Sequence, residues 1–142
     1  MASAVPSTMG TLMASGLRQA GKVVKGRETM TLQEAGDFFQ AWFDGVQQRG
    51  KALPGEKTFL DGMAPALVAL RGQGEPLNVA REALLAAQQG VQQTTTMVAK
   101  HGRAAIHGER SRAFVDPGAM VAQLLIQGYF NVVQAMYPAN GQ

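Results

Sequence analysis

TLQEAGDFFQAWFDGVQQRG, residues 31–50, is the stretch that decides the fold class. It begins with a capping-box pattern, in which the hydroxyl of Thr31 and the carboxylate of Glu34 satisfy free amides of a first helical turn. Gly50, directly after Arg49, is the residue type that commonly ends a helix. Between these signals, apolar residues recur every three or four positions, which predicts one amphipathic α-helix. They are Leu32, Ala35, Phe39, Trp42 or Phe43, and Val46.

The same periodicity predicts four more helices on either side of this one. The last of them has a clear start, because Asp116 can cap it and Pro117 needs no amide partner as its first residue. Pro65 predicts a kink in the helix that contains it. The predicted helices are 10–24, 58–70, 76–100 and 117–137, and the predicted loops are 26–30, 51–57, 71–75 and 101–115.

The chain contains almost no alternation with the period of two that half-buried strands require. Its 142 residues, 46% of them hydrophobic, are enough for one core and too few for two. The sequence therefore predicts an all-α fold, a bundle of about five helices. It forms one domain that spans residues 1–142.

Composition indicates which kinds of partner the protein binds and in which cellular compartment it is found. Thirteen Lys and Arg against ten Asp and Glu give a net charge of only +3, with the basic residues scattered, which argues against a nucleic-acid role. No apolar run reaches the roughly 18 residues of a membrane span. The absence of cysteine excludes disulfides and thiolate metal sites and agrees with a reducing compartment. The expectation is a cytoplasmic protein that binds neither nucleic acid nor membrane.

The segment HGRAAIHGERSRAFVDPGA, residues 101–119, is the most unusual part of the sequence. Arg103 and Arg110 lie beside glycines, so backbone and guanidinium can both approach a phosphate. A solvated basic loop explains the same residues equally well. His101 and His107 match no zinc spacing, and no metal site is predicted. Asp116 alone is more often a helix cap than a ligand contact.

KALPGEKT, residues 51–58, resembles the end of a phosphate-binding P-loop, but the first glycine of that motif and its preceding strand are missing. The favoured interpretation is a turn at Pro54 and Gly55, followed by a helix that starts at Thr58. A helix N-terminus with Lys57 and a threonine beside it leaves an anion site as the alternative.

Three ordered motifs give the chain a resemblance to a known family. PGEKTFLDGMAPAL (54–67), TTTMVAKHGRAAIHGERS (94–111) and VDPGA (115–119) are similar to PGDKTMLDAL, GRASYLGERS and DPGA of the L subunit (DhaL) of bacterial dihydroxyacetone kinases. The same blocks occur in the matching domain of ATP-dependent forms. The resemblance covers essentially the whole chain.

The resemblance implies an antiparallel helical bundle or barrel that encloses ADP or ATP, with two Mg²⁺ ions on the phosphates. It implies phosphoryl transfer, in which positioning and charge neutralisation do most of the catalysis. Arg110, the arginine of GERS, is implied as the catalytic residue. The implied nucleotide-binding residues, carried over one by one, are Gly50, Thr58, Phe59, Arg110, Asp116, Pro117 and Gly118.

The chain departs from the family at several motifs, one of which is missing altogether. The family begins with a segment whose G-D-x-D aspartates bind both magnesium ions, and nothing here replaces them, so the expectation is an N-terminally incomplete version with no metal ligands of its own. A kinase role then needs a partner that supplies the aspartates, besides a substrate-binding subunit and possibly a phosphotransferase-system subunit. The alternative is a catalytically inactive binding or regulatory module that self-associates as a homo-oligomer.

Overall fold

A computed structural model describes residues 9–26, 28–100 and 103–138. Over these residues the chain forms helices and loops and no strand, which confirms the all-α prediction. Two 3₁₀ segments separate the fourth and fifth α-helices. The α-helices are α1 (Met9–Val24), α2 (Leu32–Gly50), α3 (Phe59–Leu70), α4 (Pro76–Gln93) and α5 (Pro117–Met136), and the 3₁₀ segments are Thr94–Thr96 and Arg103–Ala113.

The predicted capping box starts α2, since Glu34 N donates to the Thr31 hydroxyl at 3.1 Å and Thr31 N donates to the Glu34 carboxylate at 2.9 Å. At the other end the prediction needs a correction. The residue with left-handed geometry is Lys51, at φ 59°, and Gly50 is still helical. Gly50 instead provides space, because a Cβ there would lie 3.1 Å from the Leu12 side chain of α1.

Helices α1 and α2 pack against each other in antiparallel directions. Leu12, near the start of α1, lies against Gly50 at the end of α2, and Gly16 lies one turn later against Trp42 and Gly45. A Cβ on Gly45 would lie 2.8 Å from the backbone oxygen of Ser15. The two helices therefore approach closely enough for backbone to contact backbone.

Helices α3, α4 and α5 form the second half of the bundle. Helix α4 runs antiparallel to α3, because Gly90 near its end packs against Asp61 and Pro65 near the start of α3. Helix α5 runs parallel to α3, since Gly62 packs against Ala119 and Ala122. The N-termini of α3 and α5 and the C-terminus of α4 thus lie at the same end of the bundle.

One predicted helix is too long. The range 76–100 was expected to be a single helix, but α4 ends at Gln93 and is followed by the turn Thr94–Thr96 and by extended chain. Each of the three threonine hydroxyls donates to the carbonyl oxygen three residues earlier, at 2.6 to 2.8 Å. Threonine side chains that bind nearby backbone in this way compete with the regular helical pattern. The run of threonines therefore ends α4 at the site described below.

The remaining helical boundaries agree with the predictions within a residue or two. The predicted loop 101–115 contains the 3₁₀ segment Arg103–Ala113, which is broken at Gly108 with φ 54°; His101 lies outside the described residues. No helix in the described ranges is long and apolar enough to span a membrane. One main core joins all five α-helices. Its largest members are Phe39, Trp42, Phe43, Phe59, Leu60, Met63, Leu67, Leu70, Leu84 and Ile126.

Candidate functional site

The starts of α3 and α5 meet at Gly118. A Cβ on this glycine would lie 2.9 Å from the backbone nitrogen of Phe59 and 2.9 Å from the carboxylate of Asp116. A Cβ atom essentially never lies that close to another heavy atom, so no other residue type fits without moving one of the two helices. The close approach brings the positive ends of two helix dipoles to one place.

Each of the two helix starts is capped by a buried aspartate. At α3, Asp61 accepts hydrogen bonds from the amides of Gly55 at 2.5 Å and Thr58 at 2.8 Å. The Thr58 hydroxyl accepts from the amide of Leu60 at 3.1 Å. This second capping box fixes the turn 54–57 against the first turn of α3. The prediction of a turn and a helix start at this position is therefore confirmed.

At α5 the cap is Asp116, as predicted. Its carboxylate accepts from the amide of Ala119 at 2.8 Å, and its own amide donates to the hydroxyl of Thr94 at 2.9 Å. Burial is the main cause that raises the pKa of Asp116, and nearby Asp61 raises it further, while amide hydrogen bonds and Lys57 act in the opposite direction. The carboxylate is thus held in a largely desolvated position beside the helix start.

The segment 103–113 lies next to both helix starts and is held by side chains. The buried hydroxyl of Ser111 accepts from the amide of Ala99 at 2.9 Å and donates to the carbonyl of Gly108 at 2.6 Å. The guanidinium of Arg112 donates to Glu109 at 2.8 Å and to the carbonyl of Thr96 at 2.7 Å. These hydrogen bonds connect residues 96–99 with residues 108–112, the part of the segment that begins at its break at Gly108.

Lys57 makes the link between this segment and α3. Its side chain is almost completely buried, and its ammonium donates to the carbonyl oxygens of Ser111 and Phe114. Burial lowers the pKa of Lys57, an effect that Asp116 partly offsets. The alternative interpretation, in which Lys57 stands beside an anion, is not supported, because the donors of Lys57 face backbone carbonyls.

The arrangement favours binding of an anion and offers little to a metal ion. Two helix N-termini converge, and Arg110 is exposed on the adjoining segment, with no hydrogen bond or ion pair recorded to the described part of the chain. The buried carboxylates of Asp61 and Asp116 both accept amide hydrogen bonds. Among the described residues there is no group of three His, Cys, Asp or Glu that could hold a metal ion.

Residues 1–131 match the family model described as the DAK2 domain. The chain belongs to the DAK2 domain family. This result confirms the resemblance identified from the sequence motifs, and it agrees with the all-α structure.

Three relatives illustrate the breadth of the DAK2 family. The chain is 37% identical over 129 residues to the ADP-binding subunit DhaL of the PEP-dependent dihydroxyacetone kinase of Escherichia coli K12, covering 88% of this chain and 61% of that subunit. It is 33% identical over 125 residues to the DhaL subunit of kinase 1 of Listeria innocua, covering 88% of this chain and 59% of the relative. It is 33% identical over 130 residues to the L-erythrulose 1-kinase of Mycolicibacterium smegmatis, covering 89% of this chain and 22% of that kinase. The chain thus spans about three-fifths of the length of the two DhaL relatives.

In this DAK2 domain, most of the predicted nucleotide-binding residues lie at the α3 and α5 starts. Thr58, Phe59, Asp116 and Gly118 come together there, and Pro117 is the exposed first residue of α5. The ring of Phe59 lies in the core, so the part of this residue next to Gly118 is its backbone amide.

The other two predicted residues lie apart from this contact. Gly50 is at the far end of the loop 51–57 and packs against α1. Arg110 lies on the segment that Lys57 and Ser111 hold in place, and its own side chain is exposed. Their roles as nucleotide contacts stay predictions.

Sequence reasoning missed three buried polar residues that build this end of the bundle. From the sequence, Lys57 is predicted only as a charge beside an anion site and Thr94 only as a core position of the helix after Pro76, and Ser111 has no predicted structural role. All three lie inside or directly beside the motifs that carry the family resemblance. A signal was present for Thr94, because three consecutive threonines at the end of a predicted helix are typical of side-chain to backbone hydrogen bonds.

Proposed function

We propose that this chain is the nucleotide-binding component of a dihydroxyacetone-type kinase. It binds ADP or ATP and takes part in phosphoryl transfer to a small keto-sugar. The observation that carries the proposal is the 37% identity, over 88% of the chain, to a subunit whose name says that it binds ADP. The convergence of two helix N-termini at Gly118 supports it, because such a place suits a phosphate chemically.

The chain's own residues would act by binding and by neutralising charge. The N-terminal dipoles of α3 and α5, which converge where Phe59 and Gly118 meet, favour the negative charge of the phosphates. Arg110 is exposed on the adjoining segment, and its planar fork suits bidentate phosphate contacts. Asp116 and Pro117 set the geometry of the α5 start.

Groups other than Asp61 and Asp116 would bind the Mg²⁺ ions on the nucleotide. The buried carboxylates of Asp61 and Asp116 already serve as helix caps that accept amide hydrogen bonds. We therefore propose that aspartates for Mg²⁺ come from a partner, and that a substrate-binding subunit, with or without a phosphotransferase-system subunit, completes the kinase. A cytoplasmic location is part of the same proposal.

The first prediction tests nucleotide binding directly. Mg-ADP at about 100 times its dissociation constant should stabilise the folded chain by roughly 2.7 kcal/mol and raise the thermal midpoint. Arg110→Ala should weaken the affinity about tenfold, because one charge-assisted phosphate contact is lost. Isothermal titration calorimetry and thermal denaturation measure both effects.

The matched control is Arg18→Ala, which removes an exposed arginine from α1 and should leave the affinity unchanged. The proposal is contradicted if millimolar Mg-ADP shifts neither the midpoint nor the calorimetric baseline of the wild-type chain.

One observation favours a second candidate, a self-associating binding or regulatory module. Helix α5 carries no charged residue over its 20 residues, and it leaves Leu124, Val132 and Met136 about three-fifths exposed. Leu124 and Val132 lie on one face with Gly128, where a Cβ would have no neighbour within 4 Å. An uncharged apolar helix face of this kind is typical of a protein–protein contact.

This candidate predicts a concentration-dependent dimer. Sedimentation equilibrium should show dimers of the wild-type chain at about 100 μM or below, and Leu124→Glu should return it to a monomer because a buried, unpaired charge opposes association. The control is Val68→Glu, which places the same charge on an exposed valine of α3. A wild-type chain that is monomeric at every concentration would rule this module out.

A further inference from the structure

Lys57 is a buried cation whose position is unusual in two respects. Its ammonium donates to the carbonyls of Ser111 and Phe114, which are 54 and 57 residues away in the chain. Its backbone adopts φ 65°, in the left-handed region that side-chain-bearing residues rarely occupy. A lysine that is both buried and held in a strained backbone conformation persists only where the surrounding structure fixes it.

The backbone on either side of Lys57 explains why this conformation is maintained. Gly55 and Thr58 donate their amides to Asp61, so the turn before α3 is fixed at both ends. The amide of Lys100 donates to the carbonyl of Glu56, which ties the same turn to the chain that enters the segment 103–113. The lysine side chain is therefore directed inward, away from the exposed side of the turn.

The two carbonyls that Lys57 binds bracket the end of the segment 103–113. Ser111 is on its last turn, and Phe114 follows directly, two residues before the α5 cap Asp116. One ammonium thus sets the position of this stretch relative to Thr58, which caps α3. No hydrogen bond recorded for the described residues joins Arg110 itself to α3 or α5, so the path to it runs through Ser111.

We propose that Lys57 is a positioning residue of the nucleotide site, which fixes the segment 103–114 with Arg110 against the paired starts of α3 and α5. The inference rests on the proposed function, because it assigns Lys57 a role in that same site. Lys57 acts through the backbone that it holds and does not contact the nucleotide.

The length and donor number of lysine suit this role. When the lysine is shortened or made apolar, the carbonyl of Phe114 loses the ammonium donor and that of Ser111 keeps only the amide of Phe114, at 3.4 Å. The loss of these charge-assisted bonds favours a rearranged, hydrated segment. The pKa of Lys57 is lowered by burial, which agrees with an ammonium that is partly shielded from solvent. The segment 103–114 should therefore depend on this side chain more than the helical bundle does.

The experiment compares Lys57→Met with wild type in two measurements on the full chain. Hydrogen exchange should show amides of residues 103–116 exchanging about tenfold faster or more in the variant, with α2 and α4 little changed. Calorimetry should show the dissociation constant for Mg-ADP raised about tenfold or more. Lys51→Met is the matched control, because Lys51 is also left-handed but exposed, and its Kd should stay within about twofold of wild type.

Chemical rescue separates positioning from a general loss of stability. The chain has no cysteine, so Lys57→Cys can be alkylated at that one position with 2-bromoethylamine in denaturant and refolded, which forms a thioether and releases bromide. The product carries an ammonium at nearly the same distance as lysine and should recover an affinity within about threefold of wild type. Leu77→Ala, a buried site at the opposite end of α4, reports whether destabilisation alone weakens binding.

Each result decides between the two proposals. If wild type fails to bind Mg-ADP, the proposed function is wrong and the inference falls with it. If wild type binds and Lys57→Met binds equally well, or if the aminoethylated protein stays as weak as Lys57→Cys, then Lys57 does not position the site and the proposed function stands.

Discussion

Gly90→Val is expected to lower the free energy of unfolding by about 3 kcal/mol, the upper part of the range for overpacked cores. Gly90 faces the start of α3 from within α4. A Cβ there would run into the backbone oxygen of Asp61 and lie 2.9 Å from the ring of Pro65. Backbone oxygen and a proline ring are both rigid, so the added methyl groups can be accommodated only by separating the two helices.

The separation would also affect the candidate site. Asp61 caps α3 through two amide hydrogen bonds, so moving its backbone disturbs the turn that places Lys57 and Thr58. We therefore expect Gly90→Val to weaken Mg-ADP binding as well as the fold. Urea unfolding followed by circular dichroism measures the free energy of unfolding. Calorimetry measures the affinity without urea, at a temperature where the variant is folded.

Gly128→Ala is the control for this prediction. It also changes a glycine inside an α-helix, but a Cβ there meets nothing within 4 Å. Alanine favours the helix over glycine by roughly 0.5–1 kcal/mol, so this variant should be slightly more stable than wild type. If Gly90→Val and Gly128→Ala change the free energy of unfolding by similar amounts, then α4 does not pack on α3 as closely as the structure shows.

The helices could be read from the sequence because their signals are local. The capping box at Thr31, the cap at Asp116 and the three- and four-residue periodicity all act within a few positions of each other. The helical pattern carried no information on which helices touch, and α5 lies parallel to α3 because Gly62 permits the contact with Ala119. Such a glycine is indistinguishable in sequence from an exposed one such as Gly128.

The candidate site was only partly predictable for a related reason. Motif residues such as Thr58 and Asp116 could be placed on helix starts from their local pattern, and the structure puts those two starts side by side. The partner of Lys57 could not be predicted, because it is formed by backbone carbonyls more than 50 residues later. Carbonyls are present at every residue and leave no mark in the sequence.

Thr94→Val is expected to lower the free energy of unfolding by about 2 kcal/mol, within the range for leaving a buried polar group without its partner. The Thr94 side chain is fully buried, and its hydroxyl accepts from the amide of Asp116 at 2.9 Å while donating to the carbonyl of Val91 at 2.6 Å. Valine has nearly the same shape, so no cavity forms, and the loss comes from the unsatisfied amide. Chemical denaturation with guanidinium measures the change.

The adjacent threonine run supplies a matched control for the same substitution. Thr96 is exposed, and its hydroxyl donates only to the carbonyl of Gln93, so Thr96→Val should change stability by less than about 0.5 kcal/mol. The difference between the two variants therefore isolates the hydrogen bond to Asp116. Since that bond connects the end of α4 to the cap of α5, Thr94→Val should also weaken Mg-ADP binding, and Thr96→Val should not. Equal stability losses at both positions would mean that the α5 start is held by packing alone.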